Sequence, residues 1–470
     1  MHKSILAFLF VFISTALQAQ ITFEKVIDTL GTGVGTCIQP TFDGGYVVCG
    51  YNINSDGTVF KLDSLGSIDW AKAIINPGID GPNYIEQTLD SGYLVNAGCD
   101  QGGPNAKHWL IQLDKYGDTL WTKKLSLGVG GTVPNEVNSM ASLNHTLFGC
   151  IGGYRPPQSN SIPYFFATIG NGMVLSTRFY NWSNGGSELR SIDKTYDGGF
   201  IMAGCADDTT WGSCHIYLVK TNNYGDTIWT RWHNLFSVNE CAVDVKQTLD
   251  SGFIVTGVEY DKNYFTYNLF LMKTNSLGDV LWTKTFPKPV EERPYSIKPT
   301  IDGGFVILGY THTSIGRNLY LIKTTSLGDT LWTRTFSSSN NSVGLSVEQT
   351  NDNGYIITGF STAPTGLYII KTDSLGMVYS TTGIPEVNNP FSLTIYPNPN
   401  SGVFTLNAKG IAKKGAPFKI YNANNQCVYS GDLYNNSECS LDLSYLPNGL
   451  YFIVLYTDNK VFSRKFIIEK

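Results

Sequence analysis

A six-residue phrase recurs along most of this chain, and no other feature limits its fold as much. It reads Asp43-Gly-Gly-Tyr-Val-Val, then Asp90-Ser-Gly-Tyr-Leu-Val, and returns at Asp197, Asp250, Asp302 and Asp352, with a worn copy at Asn144. The copies stand about 50 residues apart, a step typical of repeat architectures. A second phrase follows each first one, clearest in Lys273-Thr-Asn-Ser-Leu-Gly-Asp-Val-Leu-Trp282 and Lys323-Thr-Thr-Ser-Leu-Gly-Asp-Thr-Leu-Trp332. Each repeat resolves into four short strands, a to d. Asp-Gly-Gly forms the a–b turn, because Gly accepts the positive φ of a tight hairpin. Ser-Leu-Gly-Asp forms the c–d turn. No segment carries the 3.6-residue period of a helix. Four strands per repeat are the signature of a propeller blade. The chain is therefore predicted to be all-β, with a seven-bladed β-propeller over residues 20–384.

Two details of the ring follow. Trp70, Trp121, Trp229, Trp282 and Trp332 end the second phrase. They are expected to pack between blades, since one Trp buries ~150–250 Å². The seventh repeat has a poor strand d, whereas Ile21-Thr-Phe-Glu-Lys-Val-Ile27 resembles the strand d of other repeats. It is expected to complete the seventh blade and remove an open sheet edge. The phrase Leu-Ile-Lys-Thr-x-Ser-Leu-Gly-Asp-x-Leu-Trp resembles the blade repeat of quinoprotein-type propellers. That resemblance implies architecture; the adjacent cysteines beside the cofactor of quinoprotein dehydrogenases have no counterpart here.

The two ends speak of export. Lys3, the apolar run Ile5 to Ile13 and the small residues up to Ala19 predict a signal peptide over residues 1–19. No later apolar run is long enough to predict a transmembrane segment. Residues 385–391 read as a linker, and 392–470 as a small Ig-like β-sandwich of alternating strands with Pro, Asn and Gly turns. This segment resembles the type A C-terminal sorting domain of the bacterial type IX secretion system. The matching pieces are Tyr396-Pro397-Asn398-Pro399-Asn-Ser-Gly402, Leu446-Pro-Asn-Gly449-Leu-Tyr451, and the basic end that includes Lys465 and Lys470. The resemblance implies export across both membranes by the type IX machinery, cleavage of the domain, and attachment to surface lipopolysaccharide or release.

Composition fits a secreted all-β chain. Net charge is −5 without a basic tail, which argues against a nucleic-acid partner. Nine cysteines leave at least one thiol free, and Cys205–Cys214 and Cys427–Cys439 are the expected local disulfides.

Chemistry is harder to find. The six histidines are scattered, and no HExxH, GxSxG or P-loop pattern is present. The chain therefore reads as a non-enzyme without a cofactor: an exported binding or scaffold protein with a glycan or protein ligand. The alternative is an extracellular enzyme on the propeller scaffold, a polysaccharide lyase, a glycosidase or a quinoprotein-like redox enzyme. Variable b–c and d–a loops must share one face of the disc, where binding usually resides. The aromatic and imidazole groups expected there are Tyr154, Trp211, Tyr260, Tyr264 and His312. Asp80, Glu136, Glu188, Glu240 and Glu292 precede the innermost strands, and are expected to ring the channel mouth, where Ca²⁺ could bridge them.

Overall fold

The computed structural model describes residues 20–52, 54, 56–74, 81–99, 107–125, 134–154, 162–180, 186–208, 213–235, 239–261, 266–286, 290–314, 316–336, 341–379, 392–409, 416–422, 426–433, 438–456 and 461–470. The expected signal peptide and linker lie outside these residues. The chain divides into two compact units, Met1–Thr381 and Thr382–Lys470.

The first unit is a propeller of seven four-stranded antiparallel sheets. Blade five shows the pattern, with strands Glu240–Gln247, Phe253–Asp261, Thr266–Thr274 and Val280–Phe286 in sequence order. Blade one begins at Thr32, blade two at Pro82, blade three at Pro134, blade four at Ser187, blade six at Glu292 and blade seven at Ser342. Blade seven takes its outer strand from the other end of the unit. Phe23–Ile27 pairs antiparallel with Thr365–Thr372, Phe23 opposite Lys371 and Ile27 opposite Leu367. Every seam between neighbouring blades holds a cluster of buried apolar side chains, including the closing seam. There Phe23 and Ile27 pack with Ile38, Phe60, Ile356 and Leu367.

Within a blade, burial follows strand position. Strands b and c are buried on both faces, as in Phe305 to Thr311, whereas strand d alternates between half-buried and exposed. The strand-d tryptophans are accordingly half-buried, and they cap the outer edge of a seam instead of filling it. Each lies on the c–d turn of the next blade: a Cβ at Gly328 would meet Trp282 at 2.8 Å, and one at Gly376 would meet Trp332 at 2.6 Å. Phe23 fills the same role above Gly66.

The second unit has two sheets. One orders Ser392–Tyr396, Val403–Lys409 and Glu438–Asp442; the other orders Cys427–Leu433, Ala416–Asn422, Gly449–Tyr456 and Val461–Ile468. Phe404, Phe418, Ile453 and Phe466 are in the core between them. Cys427 and Cys439, expected as a disulfide, stand in different sheets and are free thiols.

Candidate functional site

The innermost strand of every blade carries the same irregularity. Its pairing with strand b skips one residue: between Gly35 and Cys37, Pro82 and Tyr84, Val137 and Ser139, Leu189 and Ser191, Ala242 and Asp244, Pro294 and Ser296, and Gly344 and Ser346. Such a β-bulge leaves one residue unpaired and re-aims its side chain. The skipped residues are Thr36, Asn83, Asn138, Arg190, Val243, Tyr295 and Leu345, and all seven line one central cavity of about 520 Å³. In six blades a strand-b glycine stands opposite the bulge, and in blade two Ala97 does. A Cβ at Gly204, Gly309 or Gly359 would lie 1.9 Å from a carbonyl oxygen of the bulged strand.

Below the bulge layer the cavity is charged but balanced. Its lining includes four acids, Glu86, Asp193, Asp244 and Glu348, and four bases, Arg190, Lys194, Lys246 and Lys298. Each of these carboxylates has partners. Glu86 accepts from Tyr84 Oη at 2.8 Å and faces His145 Nδ1 at 2.9 Å. Glu348 pairs with Lys298 at 2.5 Å and accepts from Gln39 at 3.0 Å. Asp244 takes Ser191 Oγ at 2.5 Å, Lys246 Nζ at 2.6 Å and the Ile297 N–H at 2.9 Å, so it ties blades four, five and six together. Asp193 accepts the Gln247 N–H at 3.0 Å, and burial holds its carboxyl above the usual range against the pull of Lys246. Burial would lower the Lys298 ammonium, yet Glu348 and Asp244 outweigh it and hold the pKa up.

On the face of the b–c loops, one cavity-lining ring, Tyr295, belongs to a wider group of aromatic and charged side chains. Tyr295, 40% exposed, tilts against Tyr310 at 6.1 Å. Tyr310 donates to Glu291 Oε1 at 3.2 Å and lies under the Arg317 guanidinium at 4.8 Å. Arg293 pairs with Glu291 and covers Tyr267 at 4.6 Å, and Tyr267 meets Tyr260 at 5.5 Å. His312 stands 5.7 Å from Tyr310 and 3.6 Å from Glu291 Oε2. Two of the predicted rim residues, Tyr260 and His312, thus stand half-buried at the b–c ends of blades five and six. Trp211 and Tyr264, and the side chain of Tyr154, lie outside the described residues. Tyr295, Tyr310, Arg293 and Arg317 were not foreseen. Aligning the repeats offered one signal: the residue seven before the turn Asp is Thr, Asn, Arg, Val, Tyr or Leu in an otherwise regular strand.

The expected acidic ring is corrected. Glu188, Glu240 and Glu292 do not line the cavity. Glu188 pairs with Arg190 at 3.1 Å. Glu240 is fully buried, facing His215 Nδ1 at 3.3 Å and accepting the Leu235 N–H at 2.8 Å, and Glu292 is buried as well. The strand pleat turns these two acids into the blade, so they offer a bridging Ca²⁺ no common site. Asp80 and the side chain of Glu136 lie outside the described residues.

In the second unit the sorting pieces, far apart in sequence, converge. Asn398 Oδ1 accepts the Ile467 N–H at 2.9 Å, and Asn400 O accepts the Glu469 N–H at 2.8 Å. Gly402 O accepts the Leu443 N–H at 2.7 Å. Tyr451 donates to Pro447 O at 2.8 Å, and Lys470 Nζ to Ser444 O and, at 2.7 Å, Leu446 O. Tyr396 is 78% exposed beside this junction.

Residues 394–469 match the family model described as a secretion system C-terminal sorting domain. The chain is thus exported by the type IX route to the cell surface or the extracellular space. Among the described residues no helix is long and apolar enough to cross a membrane. No curated protein matches the chain. Similar solved structures include puromycin hydrolase, at 11% identity and a TM-score of 0.46, covering 80% of this chain and 59% of that one. The acylaminoacyl peptidase of Pyrococcus horikoshii gives 13% identity and a TM-score of 0.43, covering 82% and 59%. The β-propeller domain of the Trilobed protease from Pyrococcus furiosus gives 11% and 0.42, covering 76% and 99%. The chain spans 59% of the length of the first two. The expectation of a non-enzyme is corrected: a hydrolase and a peptidase stand among these similar structures, and the likeness itself shows the fold alone.

Proposed function

We propose that the exported propeller takes a neutral, polyhydroxylated ligand, a glycan residue, at the b–c loop mouth of its central cavity. The observation that carries this reading is the exposed ring of Tyr295, which lines a cavity of balanced charge and is backed by the buried Tyr310, with the half-buried pair Tyr260 and Tyr267 beyond Arg293. Aromatic faces supply rigid apolar contact for the C–H face of a sugar ring. The Arg293–Glu291 pair and Arg317 supply donors and acceptors for its hydroxyls. The C-terminal domain would leave the propeller attached to surface lipopolysaccharide or free in the medium after cleavage.

A glycan array on the purified protein, followed by calorimetry, tests the reading. A hit is expected, and Tyr295→Ala should weaken it by about tenfold or more, as central aromatic contacts do. Parent-like affinity in that variant would remove the mouth from the interaction.

One observation favours a second reading, glycan hydrolysis. Asp193 is a cavity carboxyl held by burial above its usual range, the state a general acid needs. Hydrolysis abolished in Asp193→Asn, with binding retained, would support it.

A further inference from the structure

Blades four and five meet at a group of three thiols. Cys205 sits on strand Phe200–Asp208, Cys214 on Ser213–Thr221, and Cys241 on Glu240–Gln247 of the next blade. Their sulfur atoms all lie within 4.8 Å of one another. The expected Cys205–Cys214 disulfide does not match the strand register. Cys205 faces Ile216 and Cys214 faces Asp207, so the two cysteines are diagonal neighbours. Diagonal Cα atoms stand ~7–8 Å apart, beyond the ~4.4–6.8 Å usual for a disulfide. An odd number of thiols also leaves any pairing with a remainder.

A metal ion would use all three. Sulfurs bonded at ~2.3 Å to one trigonal centre stand about 4 Å apart, a small contraction from the spacing seen. The group holds no histidine and no carboxylate among the described residues, so the donor set is purely soft. A structural Zn²⁺ takes four protein donors and would be one short. A soft monovalent d¹⁰ ion is complete with three. The surroundings suit such a centre. Val258 and Tyr267 wall it, and half-buried Cys214 leaves an entry from solvent. Arg190 is also close: burial would lower its pKa, but Cys241, Cys205 and Glu188 outweigh it. Its fixed positive charge would offset the thiolates.

We infer that Cys205, Cys214 and Cys241 form a binding site for Cu(I), joining blades four and five beside Arg190 at the cavity mouth. Each thiol gives its proton to solvent as its sulfur–copper bond forms, so three protons leave and no electron is transferred. Affinity therefore falls as pH is lowered.

Titrating the full chain with Cu(I), kept reduced by ascorbate, tests the site. One equivalent should be retained through gel filtration, with three thiols protected from alkylation and a raised melting temperature. Cys214→Ser, at the half-buried edge, should fold and bind at least tenfold more weakly; Cys241→Ser gives a second reading of the same loss. Zn²⁺ should bind more weakly than Cu(I). Retention of the full equivalent by both variants, tighter Zn²⁺ binding, or a disulfide among the three in the isolated protein would overturn the assignment.

Discussion

The lysine of strand c was legible as the head of the second phrase, but its partner was not. Lys61, Lys220, Lys273, Lys323 and Lys371 are buried, and each ammonium lies 2.8 to 2.9 Å from the Asp of its own blade's a–b turn. A buried ammonium must be paired, or its desolvation cost is unmet. The turn Asp was legible as a hairpin residue, because its backbone role needs only local sequence. Its second role depends on a lysine about 20 residues on, visible only when repeats are aligned. Burial pushes the Asp43 carboxyl up, but Lys61, Thr41 and the Gly45 N–H outweigh it and hold it at about 2. Asp197, Asp250, Asp302 and Asp352 move the same way. A carboxyl lowered on folding stabilises the fold above its ordinary value, 3.8, and that stability is lost as pH falls toward 2. Denaturant midpoints should therefore drop between about pH 4 and pH 2. Asp352→Asn should be less stable than the parent at pH 5, with a shallower fall below pH 4. An equal slope in parent and variant would deny the pair its part in acid lability.

At the scale of the element, strands and turns were readable and the bulge was not. Turns announce themselves through Gly and Asp, and buried strands through their apolar runs. The bulged residue has no required identity, since it serves the cavity instead of the ladder. Its nearest trace lies on the neighbouring strand, in a glycine that marks a close approach in every blade but the second, where Ala97 stands. Gly309→Ala should therefore cost about 1–3 kcal/mol through overpacking against the Arg293 carbonyl, and should displace Tyr295 from the mouth. Gly170→Ala is the matched control, because nothing lies within 4 Å of the added carbon. Thermal melts of the two variants check this: Gly309→Ala should fall and Gly170→Ala should hold. Equal melts would show that the strands can part without loss, and the bulge would then not depend on the glycine.

For the whole molecule, export and ring closure meet at one short segment. The expected cleavage after Ala19 leaves Gln20 first, and the Gln20 carboxamide oxygen accepts the Ser374 N–H at 3.0 Å. Thr22 Oγ1 donates to Tyr379 O at 2.9 Å, and Lys25 Nζ to Gly66 O at 2.8 Å. Blade seven takes its outer strand from the segment that follows the expected leader, and the ring closes between the two ends of one unit. Closure was legible because the last repeat lacks a strand d that the first residues resemble. The strand's depth in the seam was not, because Phe23 and Ile27 look no different from surface strand residues until their partners are known. Each is 9% exposed or less. Losing two such side chains removes about 3–6 kcal/mol of burial and bares the edge of Thr365–Thr372 to other chains. Deleting Gln20–Ile27 should lower the melting temperature of the whole propeller in one cooperative step and produce oligomers on gel filtration. A deletion that stays monomeric with the parent's melt would mean the remaining six and three-quarter blades hold the ring unaided.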